Sequence, residues 1–184
     1  MRKSPDQAIL ERARCFEAQA LEEIFDRYHA GIYRYAYRLL GDPELASDCM
    51  AETFSRFLFA LKRKGGPEDY LQAYLYRIAH NWITDYYRTK TPTTLPVESV
   101  ILSDLKAEPY QVLAEQLTGK QVREALALLT PEQRQVISLK YLEEWDNQSI
   151  AEAVKKPVGA IKALQHRGLA ALRRILKRYR EDTE

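Results

Sequence analysis

The stretch over residues 146–180 constrains the fold of this chain more than any other, because two short apolar patterns stand on either side of a proline. The small or apolar positions are Ile150, Ala151, Val154, Val158, Ile161 and Leu164. Pro157 cannot stand inside a helix but suits its first position, so the spacing predicts two short helices that meet at a tight turn. Two such helices form a helix-turn-helix, whose second helix enters the major groove of DNA.

The charges of the same stretch favour a nucleic-acid partner. Between Glu152 and Glu181 the chain carries nine basic residues and no acidic one. If the second helix starts near Val158, its basic face holds Lys162, His166, Arg173 and Lys177. Its apolar face holds Ile161, Leu164, Gly168, Leu172 and Ile175. One face can pack while the other presents cations to phosphates. A solvated basic helix is the alternative for the charges alone, but the apolar pattern in front of them favours DNA binding.

Composition sets the fold class. The chain has 184 residues, of which 46% are hydrophobic and 29% charged, and its net charge is only +2, so the basic stretch is a local feature. Glycine and proline are sparse and helical periodicity dominates. We therefore predict an all-α protein with two small helical domains, joined by a flexible linker, the second domain being the helix-turn-helix.

The cysteines and the hydropathy of the chain argue against a metalloprotein, a disulfide-bonded protein and a membrane protein. Cys15 and Cys49 form no CxxC motif and have no histidine nearby, so we expect no metal site, no disulfide and a reducing cytoplasm. No apolar run approaches the length of a membrane span, and no signal peptide is visible. We expect a cytoplasmic protein without membrane insertion, catalytic residues or cofactor.

Local signals predict where the helices begin and end. The expected N-terminal helices run over residues 18–40, about 44–62 and about 70–88, after a frayed helix in residues 1–17. Gly41 suits a helix stop, Asp42 an N-cap and Pro43 a first helical position. Prolines at 92, 96 and 109 disfavour helix in the linker. The expected division is an extension 1–17, a domain 18–90, a linker 91–110 and a domain 111–184, the last with a helix from Gln111 and a capping box at Thr130–Gln133.

The C-terminal part resembles a known family. Residues 129–176, which include LTPEQRQVISLKYLEEW and SIAEAVKKPVGAIKALQHRGLAALRR, resemble the promoter-binding region 4 of bacterial sigma factors. The resemblance implies minus-35 DNA binding by Lys155, Lys156, Gly159, Lys162, Gln165, His166, Arg167, Arg173 and Arg174. Two departures stand out: Lys155 replaces the usual turn glycine, and Leu164-Gln165 stands where many members have Arg-Leu.

Residues 21–88 resemble region 2 of the same family. The sequence ASDCMAETFSRF is similar to the segment that docks on the clamp helices of the polymerase β′ subunit, although Ala51 replaces the usual glutamine. Composition alone favours an ordinary surface for this helix. The resemblance instead implies that core polymerase is bound by Asp48, Glu52, Phe54 and Phe57.

The next segment resembles the element that reads the minus-10 region. The loop 62–69 is basic and rich in glycine, which by itself suits an ordinary turn. The resemblance implies that it captures an unstacked promoter base, a task for which flexible glycines and flanking cations are suitable. The sequence YLYRIAHNWITDYYR resembles the minus-10 recognition helix. The implied DNA contacts are Arg63, Lys64, Arg77, Asn81, Asp85 and Arg88. The expected core positions of this helix are Leu71, Leu75, Ile78, Trp82 and Tyr86. His80 has no metal partner at ligand spacing, so we expect it at the polar surface or on DNA.

Two matched regions with no domain between them resemble the extracytoplasmic-function group of sigma factors. This implies promoter-specific initiation, with core RNA polymerase (the β′ clamp and the β flap) and promoter DNA as partners, and leaves room for an anti-sigma factor. One alternative is a helix-turn-helix regulator that does not join polymerase, although residues 1–90 lack the strand–helix alternation of a receiver domain. A helical enzyme is the other, but the chain has no P-loop, metal spacing or nucleophile motif.

Overall fold

The computed structural model describes residues 5–90 and 119–181, and every regular element in these ranges is helical. The helices are α1 (Pro5–Arg14), α2 (Ala18–Leu40), α3 (Pro43–Lys62), α4 (Leu71–Lys90), α5 (Gly119–Ala127), α6 (Pro131–Ile137), α7 (Asn147–Val154) and α8 (Val158–Glu181). A π-helical segment, Ser138–Leu142, continues α6. The all-α prediction is confirmed. The predictions for the linker 91–110 and for a helix start at Gln111 lie outside the described residues.

Local chain signals place the helix ends where they were predicted. Gly41 ends α2 in a left-handed conformation (φ 69°), and its N–H donates to the carbonyl of Tyr37. The Asp42 carboxylate accepts the N–H groups of Glu44 at 2.8 Å and Leu45 at 3.0 Å, and Pro43 opens α3. These caps satisfy backbone groups that have no partner within the helices.

Helices α1–α4 form the N-terminal unit, which packs around its own core. Its largest fully buried side chains are Leu10, Ile24, Ile32, Tyr35, Leu39, Phe57, Leu71, Leu75 and Ile83. The expectation of a frayed helix in residues 1–17 is wrong for α1, because Ile9, Leu10 and Ala13 place a buried stripe against α2 and α3. The Asp6 carboxylate also accepts the backbone N–H of Leu71 at 2.9 Å, which ties α1 to the start of α4.

Helices α5–α8 form the C-terminal unit. Thr130 and Gln133 make the predicted capping box at the start of α6, and the Asp146 carboxylate accepts the N–H of Ser149 at 2.8 Å to begin α7. The core of this unit is built from Val136, Ile137, Leu139, Ile150, Ile161 and Leu164, all buried. Within the described residues, no helix combines the length and the apolar character needed to cross a lipid bilayer.

The two units pack directly on each other, mainly through α4 and α7. The Tyr76 ring lies 4.9 Å from the Trp145 ring, and its hydroxyl donates to a Glu143 carboxylate oxygen at 3.4 Å. On α2, Arg38 donates to the other Glu143 oxygen at 2.8 Å and to the carbonyl of Leu142. This contact therefore combines hydrogen bonds with apolar packing, and the buried apolar side chains of both units form one cluster.

His80 lies at the centre of this contact, only 2% exposed. Its Nε2 donates to the carbonyl of Pro131 at 2.9 Å, so its Nδ1 is left to accept the Tyr35 hydroxyl at 2.9 Å. Burial, with a smaller effect from the Arg134 charge, lowers the pKa of His80 to about 3. The prediction that His80 lies at the surface or on DNA is wrong, because α6 covers it.

Arg134 is a buried cation on the other side of the same contact. It donates to the Thr84 hydroxyl at 3.1 Å and to the carbonyl of Ala127 at 3.4 Å, and its guanidinium lies 4.6 Å from the Tyr87 ring centroid. Burial lowers the pKa of Arg134. The charge of Arg134 is therefore stabilised by hydrogen bonds and by the face of the Tyr87 ring.

The lowered pKa of His80 predicts acid sensitivity. Above the ordinary histidine pKa of about 6.5, His80 is neutral in the folded and unfolded states alike, and its contact contributes fully. As the pH falls below this value, the unfolded chain binds the proton first, so the free energy of unfolding should fall by on the order of 1–2 kcal/mol between pH 7 and pH 5. Urea denaturation at the two pH values measures this fall.

His80→Gln should show a smaller fall, and His166→Gln, at an exposed position of α8, should keep that of the wild type. Burial raises the pKa of Glu143, so its protonation stabilises the folded state as the pH falls, opposite to the effect of His80. Glu143 is present in all three proteins, so the difference between them reports on His80 alone. Equal pH dependence in wild type and His80→Gln would contradict the assignment.

Candidate nucleic-acid interface

One face of α4 carries polar and aromatic side chains at helical spacing and points away from both cores. Tyr74 and Arg77 are half-buried there, and Asn81, Asp85 and Arg88 are exposed. The Arg77 guanidinium lies 5.2 Å from the Tyr74 ring centroid, and Arg88 pairs with Asp85 at 3.1 Å. The structure thus brings four of the predicted DNA-contact residues onto one accessible surface.

The buried stripe of α4 differs from the predicted one. Leu71 and Leu75 are fully buried as expected, but Ile78, Trp82 and Tyr86 are only half-buried. The inner positions farther along the helix are Ala79, His80 and Ile83. The sequence pattern shows one apolar stripe, whereas α4 packs against its own unit and against the C-terminal unit.

The loop between α3 and α4 has an unusual backbone. Lys64 (φ 57°) and Tyr70 (φ 52°) adopt the left-handed conformation that glycine favours, and Gly66 (φ 89°) lies between them. Left-handed backbone at residues other than glycine costs on the order of 1–2 kcal/mol each and is often found at functional sites. Arg63, at the start of this loop, lies 4.9 Å from the ring centroid of the exposed Phe59.

An open cavity of about 280 Å³ lies beside this loop. Residues 66–70 line it with Ala73, Tyr74 and Arg77, and the C-terminal unit adds Glu152 and Lys155. The rings of Tyr70 and Tyr74 suit the stacking of a flat ring, and Arg77 is a cation beside them; the carboxylates of Glu68, Asp69 and Glu152 line the same cavity. Sequence reasoning missed Tyr70 and Tyr74, although tyrosines that flank a basic, glycine-rich loop are a recognisable signal.

The helix-turn-helix has the expected form. Lys155 ends α7 with φ 56°, and its backbone N–H donates to the carbonyl of Ala151. A lysine thus occupies the left-handed position where glycine would be less strained. The early residues of α8 that are exposed are Gly159, Lys162, Ala163, His166 and Arg167. These side chains can reach a groove without displacing core residues.

Two predicted DNA-contact residues also make bonds within the protein. Gln165 is half-buried and donates to the Asn147 side-chain oxygen at 2.8 Å, which ties α8 to the start of α7. Lys156 pairs with Glu132 at 3.0 Å. Farther along α8, Arg173 is half-buried and Arg174 is exposed. Lys162 is therefore better placed than Gln165 to touch DNA.

The predicted polymerase-binding residues on α3 divide into two groups. Asp48 is exposed, and Glu52 lies partly exposed beside Arg56, with which it pairs at 2.7 Å. Phe54 and Phe57 are 8% and 1% exposed, so both rings belong to the core of the free chain. Their spacing places both rings on the inner side of α3, where they hold the acidic face in position.

Comparisons with known proteins agree with this geometry. The family model for sigma-70 region 2 matches residues 24–93, and that for sigma-70 region 4 matches residues 119–172. The two matched ranges coincide with the two helical units, apart from α1, the first six residues of α2 and the end of α8. The chain is therefore of the sigma-70 class of transcription initiation proteins, and the match to region 2 disfavours a regulator that acts outside polymerase.

Similar proteins of known family show to which group of sigma factors the chain belongs. The chain is 31% identical over 177 residues to the ECF sigma factor SigW of Bacillus subtilis. This match covers 88% of the chain and 91% of SigW. It is 30% identical over 175 residues to the ECF sigma factor BldN of Streptomyces coelicolor, of whose length the match spans 64%. The chain belongs to the extracytoplasmic-function (ECF) sigma factors, which direct core RNA polymerase to specific promoters and as a class are not enzymes.

Solved structures share the fold. CnrH, in complex with the cytosolic domain of CnrY, superposes with a TM-score of 0.66 at 20% identity, over 94% of this chain and 97% of CnrH. RpoE of Bartonella quintana, in complex with the anti-sigma factor NepR, gives a TM-score of 0.56 at 20% identity, over 85% of this chain and 96% of RpoE. Both likenesses support the helical architecture.

Two glycines of α8 test how tightly the helix-turn-helix is packed. A Cβ at Gly168 would lie 2.8 Å from Cγ1 of the buried Ile137, whereas a Cβ at Gly159 would meet nothing within 4 Å. Gly168→Ala should therefore destabilise the protein by about 1–3 kcal/mol. Gly159→Ala should be neutral or stabilising by up to about 1 kcal/mol, because alanine favours helix. Chemical denaturation measures both, and equal effects would argue against close packing of α8 on α6.

Proposed function

We propose that this sigma factor divides its work between its two units, with residues 18–90 binding core polymerase and the minus-10 element and residues 111–184 binding the minus-35 element. The observation that carries the proposal is the pair of rings, Tyr70 and Tyr74, in the cavity beside loop 63–70, next to the exposed face of α4. The rings suit stacking on an unstacked base, and Arg77, 5.2 Å from the Tyr74 ring centroid, is the cation for its phosphate. The carboxylates of Glu68, Asp69 and Glu152 line the rest of the cavity.

On the minus-10 side, side chains of different chemistry take different roles. Asn81 is exposed at the middle of α4 and has the amide geometry that pairs with base edges. The cations that hold the strand are Arg63, Lys64, Arg77 and Arg88. Asp85 pairs with Arg88 and fixes the direction of its guanidinium. Tyr70 and Tyr74 supply ring faces for stacking.

On the minus-35 side, the first turns of α8 enter the major groove. Lys162 and His166 face base edges, and Gly159 lets the DNA backbone approach closely because its position is open. The other predicted contacts, which hold phosphates, are Lys155, Lys156, Arg167, Arg173 and Arg174. Gln165 braces the two helices through Asn147 in addition to any contact with DNA.

The acidic face of α3 is the proposed polymerase contact. Asp48 and Glu52 face outward and suit a basic surface such as the β′ clamp, while the C-terminal unit engages the β flap. Complementary charges speed association more than they tighten it. The surrounding exposed rings, Phe25 and Phe59, add apolar area at 41% and 58% exposure.

A further partner and the place of action follow from the same proposal. We infer that an anti-sigma factor can bind this chain, since RpoE of Bartonella quintana was solved with one. Polymerase and promoters are cytoplasmic, so the proposed site of action is the cytoplasm. The absence of a cofactor remains a prediction.

Runoff transcription with core polymerase tests the proposal. The full chain added to core polymerase should give a transcript with a defined start from a subset of genomic promoter fragments, and core polymerase alone should not. A protein that only altered transcription by another sigma factor would contradict the proposed role.

Charge reversal at Glu52 tests the polymerase contact. Glu52→Lys should weaken binding to core polymerase by about tenfold or more, because like charges then face each other. Glu124→Lys is the control, since Glu124 is an exposed partner of Lys120 at the same spacing as Glu52 and Arg56. Competition against labelled wild-type protein measures affinity, and equal losses in both variants would rule out this face.

Two substitutions on α8 separate base reading from phosphate binding. Lys162→Ala should cost on the order of 1–3 kcal/mol on cognate minus-35 DNA and relax the preference at one position. Arg174→Ala should weaken cognate and scrambled DNA alike and reduce the salt slope by about 1. Fluorescence anisotropy over a salt series measures both. If Arg174→Ala changed sequence preference and Lys162→Ala did not, the proposed placement of α8 would be wrong.

A further inference from the structure

We propose that helix α1 is a positioning element for base capture: it holds residues 67–71 in the conformation that presents Tyr70 to a promoter base. The positioning residues are Asp6, Gln7 and Arg14, and they act through loop 63–70 rather than by contact with DNA. Helix α1 precedes the range that the region 2 family model matches. The inference rests on the proposed function of the cavity, whereas the bonds from α1 to the loop belong to the fold of the free chain.

Two side chains of α1 donate hydrogen bonds to the second half of loop 63–70. Arg14 donates to the carbonyl of Pro67 at 2.8 Å, and Gln7 donates to an Asp69 carboxylate oxygen at 3.3 Å. The bonded residues are 53 and 62 positions apart in the chain. Only the packing of α1 beside the loop brings them together.

A third bond from α1 caps the start of α4. Leu71 is the first residue of α4, so its N–H has no acceptor within the helix. The Asp6 carboxylate accepts this N–H at 2.9 Å, as a capping side chain would. Because the cap comes from α1, the direction in which the loop enters α4 depends on α1.

Asp69 links Gln7 to the backbone of Tyr70. One Asp69 oxygen accepts the Tyr70 N–H at 2.8 Å, and the other accepts the Gln7 side chain. The Tyr70 residue is 56% exposed, so packing holds little of its ring. The direction of the ring is therefore set mainly by its backbone, which these bonds hold.

The backbone at this point needs external support. Tyr70 has a left-handed conformation (φ 52°), which is unfavourable for a tyrosine and persists only where the surrounding structure imposes it. The α1 bonds reach Pro67, Asp69 and Leu71, which lie on either side of Tyr70. Pro67, Asp69 and Tyr70 also line the cavity. The segment that α1 holds is thus a wall of the proposed base site.

Helix α1 is itself fixed to the core of its unit. Ile9, Leu10 and Ala13 are at most 4% exposed and pack against α2 and α3. This buried stripe lies between Gln7 and Arg14 in the sequence, so both donors extend from a helix that the core immobilises. Positioning by such a helix is precise, and a small displacement of a site wall has a large effect on a bound group.

Hydrogen–deuterium exchange of the free full-length chain tests whether α1 holds the loop. Arg14→Ala and Asp6→Ala each remove one bond, so the amides of residues 68–71 should exchange about fivefold faster, the factor that one hydrogen bond contributes. Arg12→Ala is the matched control. Arg12 lies on the same last turn of α1, but it pairs with Glu17 and Glu23 instead of the loop. Loop exchange in this control should stay at the wild-type rate.

Base preference in transcription tests the consequence for DNA. Runoff by core polymerase with each variant is measured on a promoter that the wild-type chain uses and on its single-base substitutions. Tyr70→Ala identifies the minus-10 position that this ring reads. At that same position, Arg14→Ala and Asp6→Ala should lower the preference by about fivefold. Preference in the minus-35 element and affinity for core polymerase should not change, although a general loss of stability would lower both.

A conservative variant separates the lost bond from a lost fold. Asp6→Asn keeps an oxygen that can accept the Leu71 N–H, so it should restore wild-type exchange and preference, unlike Asp6→Ala. Circular dichroism establishes that each variant is folded. If Arg14→Ala unfolds, the comparison of Asp6→Asn with Asp6→Ala decides the matter.

Wild-type loop exchange in both Arg14→Ala and Asp6→Ala would overturn the proposal, and so would faster exchange with unchanged base preference. Equal losses in Arg12→Ala and Arg14→Ala would also overturn it, because the effect would then not depend on the loop bonds. Failure of the proposed function shows separately, as the absence of a transcript with the wild-type chain. The exchange rates would still decide whether α1 holds the loop.

Discussion

The burial of α4 on two sides is the constraint on which the rest of this structure depends. Leu71, Leu75 and Ile83 bind α4 to its own unit, while Tyr76 and His80 bind it to the other unit. The remaining side is the one offered to DNA. Every residue of this helix must therefore suit one of three surroundings: its own unit, the C-terminal unit or solvent. On the side that faces the C-terminal unit, neutral His80 and the buried cation Arg134 lie beside apolar side chains.

Local signals explain how much of the fold could be read from the sequence. Gly41, Asp42 and Thr130 each act on the backbone within a few residues, so their roles as caps followed from chain position alone. The helix-turn-helix was equally local. The packing of α1 was missed because a stripe of three small or apolar residues is a weak signal without the partner helices beside it.

The candidate site was harder to predict, because it depends on contacts between distant residues. Nothing in the sequence near His80 indicated that Pro131 would cover it. The family motif likewise did not show that Phe57 is buried in the free chain. Asp48 and Asn81 are exposed although a buried residue lies next to each along its helix, and this difference is visible only in the structure. The bond from Gln165 to Asn147 likewise joins residues eighteen positions apart.

The contact between the two units has a consequence that does not depend on how much of the protein a cell holds. Both partners in the contact belong to one chain, so their effective concentration is set by the covalent connection and not by the number of copies in the cell. The packing of α4 on the C-terminal unit is therefore the same at low and at high abundance, unlike a contact between separate subunits.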